Sequence, residues 1–501
     1  MKNKLIKIGA MVASAVIMAT SIPTVATAAE SNYSYIYDYW GDVQEMPDAY
    51  NVCRVFTSID LGLDKLLKNP SGMYVHDNMI YICDTGNDRI VICERTDADS
   101  IEVVKTVERI KGDVDTKTFS GPTDIAVSDD GNIFIADKGN ARILKVDSDF
   151  KYILEFVKPD DTAISADLVF QPNKIVIDTA ERVYCIANNI NRGLCKYEAD
   201  GTFSGFVGAT KVTYDFQQYL IKKFASQEQL AQMESFVPTE YDNIYMDKEG
   251  FIYTVTDAGT EEDLKSGDAD AVRKLNLLGS DILVRNGEWP IYGDLYMGGG
   301  GGFAGPSLFT DVTVLDNDIY VCLDKNRGRC FGYDDQGNMV FIFGGNGNMD
   351  GYFRQPAALE HMGNDLIVLD SLDCSITLFT PTEFGSLVYT AMEKFDEGEY
   401  EASGEAWESV MKLDGNYTLA YIGIGRSLLR QKQYEEAMDY FDLKYDADNY
   451  SKAFQQYRKK WVEKNIAIIV IVILAVFLIP LGIGKIRSIK REIDKEEFFN
   501  R

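Results

Sequence analysis

Between residues 70 and 380 the chain alternates short apolar runs with polar turns. A unit of proline, strand, turn, strand, polar loop and strand recurs, rich in Val, Ile, Tyr and Phe. The prolines that open the six units are Pro70, Pro122, Pro172, Pro238, Pro306 and Pro356. Four short antiparallel strands per roughly 50 residues are typical of a propeller blade. The pattern therefore predicts a mainly β protein with a six-bladed β-propeller over 30–381, closed by an N-terminal strand between Tyr35 and Ile59.

Helical patterning replaces the strand pattern in two places. Residues 214–236 have helical composition and predict a helical insertion between the third and fourth blades. After Pro381, the pairs Tyr400 and Tyr434, and Trp407 and Phe441, are 34 residues apart. This spacing resembles the tetratricopeptide repeat and predicts a small all-α stalk over 382–464. The predicted helices lie near 383–396, 400–413, 417–430 and 434–446. A generic helical spacer is the alternative.

Both ends of the chain predict export to a membrane. Residues 1–28 have a basic start, a short apolar stretch and an "ATA" cleavage site, as in a secretory signal peptide. Residues 466–484 are uncharged and long enough to cross a membrane as a helix. The basic tail 485–501 is expected in the cytoplasm. The signal peptide resembles those of Gram-positive bacteria, so we expect the ectodomain outside the cytoplasmic membrane, in contact with lipid through one helix.

The net charge of −28 disfavours nucleic-acid partners, because a nucleic-acid binder needs a basic face. Eight cysteines in an exported chain raise the question of disulfides. Six of them flank turns as pairs with poor disulfide geometry, and buried thiols are the favoured interpretation. Closure of the ring would bring Cys53 near Cys374, so this disulfide is a possible one.

The segments "YICDTGNDRIVIC" (81–93) and "FIADKGNARILKV" (134–146) share a polar loop between two apolar runs. This pattern resembles the NHL repeat, which implies a six-bladed propeller. The shared loop residues are Asp84, Gly86, Asn87 and Arg89, and Asp137, Gly139, Asn140 and Arg142. We interpret them as a structural hairpin in which Gly86 and Asn87 suit positive φ and Asp84 pairs with Arg89. Recurrence argues against catalysis, because a reaction needs one constellation.

Six-bladed propellers include calcium-dependent lactonases and zinc-containing amidating lyases, which place polar groups at the ring centre. The two histidines, His76 and His361, are not in metal-ligand spacing, so no metal site and no catalytic residue is predicted. Calcium stays open, because ligands from several blades leave no linear motif. Three or more Asp, Glu, Asn or His side chains converging on the axis would favour an enzyme. An apolar channel would count against one.

Aromatic residues in loop-like contexts suggest a binding face: Trp40, Trp289, Tyr292 and Phe303. Flat rings in exposed loops stack on sugars or anchor protein partners, whereas packing between blades is the alternative. The main hypothesis is a non-enzymatic, membrane-anchored surface protein that captures a glycan, a peptide or a membrane complex such as a transporter. The alternative is an extracellular calcium-dependent lactonase or lyase with its site on the propeller axis.

Overall fold

The structure, a computed structural model, describes residues 34–38, 40–112, 114–162, 164–208, 241–256, 261–267, 269–287, 289–295 and 305–499. The predicted signal peptide 1–28 and the predicted helical insertion 214–236 lie outside the described residues. The chain divides into two units, one of residues 1–37 and 43–382 and one of residues 38–42 and 383–501.

The described part of the first unit contains six sheets that form the blades and one two-stranded sheet that precedes them in the chain. Before the first blade come β1 (Tyr35–Tyr37), β2 (Val43–Glu45) and β3 (Tyr50–Thr57). Blade one is β4 (Gly72–His76), β5 (Met79–Asp84), β6 (Arg89–Asp97) and β7 (Ser100–Val107). Blade two is β8 (Pro122–Val127), β9 (Ile133–Asp137), β10 (Arg142–Val146) and β11 (Tyr152–Phe156). Blade three is β12 (Pro172–Ile177), β13 (Val183–Ala187), β14 (Leu194–Tyr197) and β15 (Phe203–Val207).

The remaining blades follow the same plan. Blade four is β16 (Tyr241–Met246), β17 (Ile252–Thr256) and, after the short helix α1 (Glu261–Ser266), β18 (Val272–Leu275). Blade five is β19 (Phe309–Val314), β20 (Tyr320–Asp324), β21 (Arg329–Tyr333), β22 (Met339–Asn346) and β23 (Tyr352–Phe353). Blade six is β24 (Pro356–Met362), β25 (Asp365–Asp370) and β26 (Ser375–Pro381), with β3 as its fourth strand. The predicted six-bladed propeller, closed by an N-terminal strand, is therefore confirmed.

The core of the propeller lies between neighbouring blades. Ile90 and Ile92 of blade one pack in one buried cluster with Ile125, Ile133 and Ile135 of blade two, and other clusters join the other blades. Strands buried on both faces explain the near-continuous apolar runs. Each fully buried Ile contributes about 1.5–3 kcal/mol relative to an exposed one.

Helices make up the second unit. They are α2 (Glu383–Asp396), α3 (Tyr400–Leu413), α4 (Thr418–Arg430), α5 (Tyr434–Leu443) and α6 (Ala447–Phe499). Gly423 permits close packing of α4, because a Cβ there would lie 2.3 Å from Nε1 of Trp407. The first four helices match the predicted ranges to within three residues. The predicted span 466–484 lies in α6, whose segment Ala447–Asp494 is long and apolar enough to cross a membrane, with a mean hydropathy of 3.3 in its most apolar window.

Candidate functional site

A polar cavity of about 370 Å³ lies among the innermost strands of the six blades. In five of these strands the register shifts after the first residue. The residues that follow the shift are Asp124, Lys174, Asn243, Asp311 and Ala358. The first four of them line the cavity. Gly72 holds the equivalent position in blade one, where a Cβ would lie 2.9 Å from Oδ1 of Asp124. One repeat position therefore supplies most of the deep wall.

The two aspartates of this wall join blades together. Oδ2 of Asp124 accepts the Ile175 N–H at 2.8 Å from blade three, and Oδ2 of Asp311 accepts the Leu359 N–H at 2.7 Å from blade six. Oδ1 of Asp311 accepts the Asn243 amide at 2.6 Å. Buried backbone N–H groups need an acceptor, and charged acceptors make the stronger bonds. The deep aspartates are therefore part of the framework as well as of the wall.

Lys174 supplies the positive charge of the deep cluster. Its Nζ lies 3.8 Å from Oδ1 of Asp124 and donates to the Ser71 carbonyl at 3.5 Å. Burial lowers the pKa of Lys174, but the carboxylates of Asp124 and Asp311 outweigh burial and the net shift is upward. Burial raises the pKa of Asp124 and raises that of Asp311 to about 7. The lysine is thus cationic at neutral pH, while Asp311 is near the midpoint of its titration.

Glu360 stands two residues beyond the deep level on β24 and is 7% exposed. Burial raises the pKa of its carboxyl group well above the ordinary value, and Asp311 and Asp124 raise it further. Beside it, Nδ1 of His361 lies 2.7 Å from Oγ1 of Thr313. Burial lowers the pKa of His361, so this imidazole is neutral at physiological pH.

The axis meets the numerical condition for an active site, because Asp124, Asn243, Asp311 and Glu360 all line the cavity. Among the residues that the structure describes, no group of three or more His, Cys, Asp or Glu is arranged to hold a metal ion. Lys174 is the cation that lies against the deep carboxylates.

The repeated loop of blade one forms a buried network around Asp84. Its carboxylate accepts the Lys68 N–H at 2.7 Å, the Asn87 amide at 2.8 Å and Nε of Arg89 at 2.6 Å. Asp84 and Arg89 are direct cross-strand partners, as predicted. The prediction of positive φ at Gly86 and Asn87 was wrong, because the left-handed residue of this loop is Asp88, with φ 56°. Gly86 is required instead by close approach, since a Cβ would lie 2.5 Å from the Lys68 carbonyl oxygen.

Blade two repeats this network atom for atom. Asp137 accepts the Ser120 N–H at 2.8 Å, the Asn140 amide at 2.8 Å and Nε of Arg142 at 3.0 Å. A Cβ on Gly139 would lie 2.6 Å from the carbonyl oxygen of Ser120. None of the eight motif residues lines the axial cavity. The motif closes each hairpin onto the loop that precedes its blade.

The predicted aromatic residues that the structure describes differ in exposure and in their neighbours. Trp289 stacks on Tyr37 with ring centroids 4.4 Å apart, and Tyr292, 7% exposed, packs in the same buried cluster. Trp40 is 75% exposed and belongs by its contacts to the helical unit, 6.4 Å from the ring of Tyr445. Phe303 lies outside the described residues. For Trp289 and Tyr292, packing inside the propeller is the observed arrangement.

All eight cysteines are free thiols in the structure, so the disulfide that closure of the ring suggested between Cys53 and Cys374 is not formed. Strands β3 and β26 do pair, but Ser375 lies opposite Thr57 and Phe379 opposite Val52. This register puts Cys53 and Cys374 about four residues apart along the sheet, roughly 13 Å. A disulfide requires Cα atoms within about 7 Å.

Sequence reasoning missed Lys174 and Glu360. Asp124 and Lys174 each stand two residues after the proline that opens their unit, and Glu360 stands four residues after Pro356. Alignment of the six units on their prolines would have placed these charges on the innermost strand. They were missed because the polar loops, rather than the first strand of each unit, carried the visible motif.

Comparisons with known proteins agree with this architecture. The NHL repeat family matches residues 119–146, which is blade two from its entry loop to its third strand. No curated protein matches the sequence. Virginiamycin B lyase from Staphylococcus aureus is similar in structure at 10% identity, with 65% of this chain and 98% of that chain covered and a TM-score of 0.37. A structural genomics protein of unknown function from Bacteroides thetaiotaomicron is similar at 11% identity, with coverage of 63% and 70% and a TM-score of 0.39.

The fold and the repeat match define the class of protein. It is a six-bladed β-propeller that contains an NHL repeat. Its chain continues into helices, the last of which is a candidate membrane span.

Proposed function

We propose that the chain is a membrane-anchored recognition protein of the cell exterior that binds its ligand in the axial cavity of the propeller. The ligand is a glycan, a peptide or part of a membrane complex such as a transporter. The predicted signal peptide and the apolar helix α6 support export and anchoring. The basic residues after the span support a cytoplasmic C-terminus.

The observation that carries the proposal is the chemistry of the axial wall. Asp124 and Asp311 each accept a backbone N–H of a neighbouring blade through one carboxyl oxygen, which fixes the orientation of the carboxyl group. Groups that are fixed in this way shape and charge a cavity without having to move protons. A preformed cavity of about 370 Å³ with a few fixed polar groups is typical of a small-molecule or side-chain binding site.

This site replaces the aromatic face as the place of binding. Trp289 and Tyr292 are held in the propeller core, where their rings stabilise the fold. Among the predicted aromatic residues that the structure describes, Trp40 has the largely exposed ring, and this ring lies beside that of Tyr445 in the helical unit.

The test uses full-length protein in lipid nanodiscs, probed with a fixed panel of glycans, peptides and detergent-solubilised membrane complexes. We expect a panel member to bind wild-type protein and Glu102→Gln, and to lose binding to Glu360→Gln. Glu102 is an exposed acid on the outer strand β7, so its variant removes the same charge away from the cavity. Binding that is equal in all three proteins would place recognition elsewhere.

Orientation is tested separately in intact cells that express the protein. Protease added outside should degrade the propeller and leave an epitope tag after residue 501 intact. A protected propeller or a degraded tag would contradict the proposed topology.

One observation favours a second candidate, an enzyme with its site on the same axis. Glu360 is a buried carboxyl group with a raised pKa in a polar cavity, as expected of a general acid or base. This candidate is tested by incubating the protein with a panel of lactones and measuring the protons that hydrolysis releases. Turnover by wild-type protein that Glu360→Gln abolishes and Glu102→Gln keeps would make the protein an enzyme.

A further inference from the structure

The cavity wall has more acidic than basic groups. Among the described residues of the wall, the single lysine is Lys174, and His361 is neutral at physiological pH. The carboxyl groups of the described wall are the five of Asp77, Asp124, Asp311, Asp316 and Glu360. A site with this imbalance attracts positive charge and is costly to leave empty when its acids ionise.

We propose that the axial cavity binds its ligand through an organic ammonium group, which lies against the carboxyl group of Glu360. This inference rests on the proposed function and names the chemical class of the ligand. A lysine side chain, an amino sugar or a quaternary amine carries such a group.

The partners of Glu360 leave room for a cation. The carboxyl group interacts with the backbone N–H of its neighbour His361. Within the described part of the chain it forms no ion pair and accepts no hydrogen bond from a side chain. A carboxyl group that is 7% exposed and lines a cavity is therefore left without a cation at ion-pair distance among the described residues. Burial without such a partner is expensive for the ionised form, and a bound ammonium removes that cost.

The groups that face Glu360 come from every innermost strand. They are Tyr74 on β4, Asp124 on β8, Lys174 on β12, Tyr245 on β16, Asp311 on β19 and His361 on β24. Lys174 lies against Asp124 at the deeper level, and its charge lowers the pKa of Glu360 by less than burial, Asp311 and Asp124 raise it. Glu360 is thus a carboxyl group whose charge has no counter-ion at ion-pair distance in the part of the chain that the structure describes.

An organic cation fits this wall better than a metal ion does. A calcium ion needs six to eight oxygen ligands at about 2.3–2.6 Å, and among the described residues no group of three or more His, Cys, Asp or Glu is arranged to hold a metal ion. Tyr74 and Tyr245 add aromatic rings to the lining, and the Tyr245 ring lies 6.2 Å from that of His361. Aromatic faces attract ammonium groups, quaternary ones in particular, through their π electrons.

The mouth of the cavity favours the same ligand. Asp77 and Asp316 line the cavity from turns that follow innermost strands, and both side chains are exposed. Acidic groups at the entrance of a cleft concentrate cations there and raise their rate of association.

The test is calorimetric titration of the full chain in nanodiscs with tetramethylammonium chloride, at constant ionic strength. The uncharged control probe is 2,2-dimethyl-1-propanol, which has a similar size and shape. We expect the cation to bind wild-type protein and Glu102→Gln equally, and to bind Glu360→Gln about tenfold to a hundredfold more weakly. The alcohol should bind at least tenfold more weakly than the cation.

The titration is repeated at pH 6 and pH 8. Burial raises the pKa of Glu360 and that of Asp311, the latter to about 7, so a bound cation must displace a proton at low pH. Affinity should therefore rise between pH 6 and pH 8, by at most about tenfold per pH unit for one released proton. Equal affinity for the alcohol and the cation, or for wild type and Glu360→Gln, overturns the proposal. A panel ligand that binds the cavity while tetramethylammonium neither binds nor competes also overturns it, and leaves the proposed function standing.

Discussion

Removal of the Asp84 carboxylate should cost more than removal of the whole Asp84–Arg89 pair. Asp84→Ala deletes three hydrogen bonds of 2.6–2.8 Å and leaves the Arg89 guanidinium, 5% exposed, without its counter-ion. Loss of one partner of a buried ion pair costs about 3–5 kcal/mol. We therefore expect Asp84→Ala to lower the free energy of unfolding of blade one by that amount.

The double variant Asp84→Ala/Arg89→Met removes the uncompensated charge as well. It still leaves the Lys68 N–H without its acceptor, whereas the Asn87 amide keeps the Leu66 carbonyl oxygen as an acceptor at 2.8 Å. An orphaned buried donor costs about 1–3 kcal/mol, so the double variant should be more stable than the single one. The reversal in order follows only if the pair is buried and structural.

The assay is urea unfolding of the full chain followed by pulsed hydrogen exchange, read at peptides within 79–97. Exposed Glu108→Ala is the control and should leave the midpoint unchanged, because surface substitutions stay within about 0.5 kcal/mol. A double variant no more stable than Asp84→Ala would refute the reasoning. Normal stability of Asp84→Ala with selective loss of ligand binding would show that the loop is a recognition site.

Three further predictions concern the loop of blade two, the buried network of blade five and the axis. Gly139→Ala should destabilise the fold by about 1–3 kcal/mol through overpacking. Ala141 has φ 56°, so Ala141→Gly should change stability by less than about 1 kcal/mol. The urea midpoints of the two variants test this difference, and equal midpoints would contradict it. Asp294 accepts the Tyr35 hydroxyl and binds the side chains of Arg327 and Arg329. Asp294→Ala should therefore lower the free energy of unfolding by about 3–5 kcal/mol and expose the N-terminal strand to limited proteolysis. An unchanged cleavage pattern would contradict this. Burial raises the pKa of Asp311 to about 7, so its contribution to stability is present below pH 4 and is lost as the pH rises through 7. The urea midpoint of the wild-type protein should decline between pH 4.5 and pH 8, and Asp311→Asn should flatten this decline.

The blades could be predicted because each one encodes itself locally. Strand, turn and strand follow within about 25 residues, and burial on both faces makes their apolar runs easy to see. The hairpin register could be predicted too, since Asp84 and Arg89 flank one short loop. The helix pattern after Pro381 was equally local, and its four helices begin within one residue of the predicted positions.

The site could not be predicted in the same way, because no single segment contains it. Asp124, Lys174, Asp311 and Glu360 are brought together only when the ring closes. The environment of Trp289 could not be predicted either, because it also depends on a contact that is distant in sequence. Trp289 stands in a glycine-rich stretch that resembles an exposed loop, yet a stack on Tyr37, which is 252 residues earlier (289 − 37), draws it into the core. Local composition does not reveal contacts of this range.

The two kinds of repeat position differ in how freely they vary. The loop position occupied by Asp84 and Asp137 makes the same three bonds in two blades, because every hairpin must close onto the loop before it. The innermost position carries Gly72, Asp124, Lys174, Asn243, Asp311 and Ala358 in turn. The loop position varies less, since it is Asp in four of the blades, whereas the six innermost residues differ in charge and size. Their diversity gives the ring a single asymmetric arrangement of charge, which is what recognition of one ligand requires. The function of the propeller is therefore to be sought where its repeats disagree.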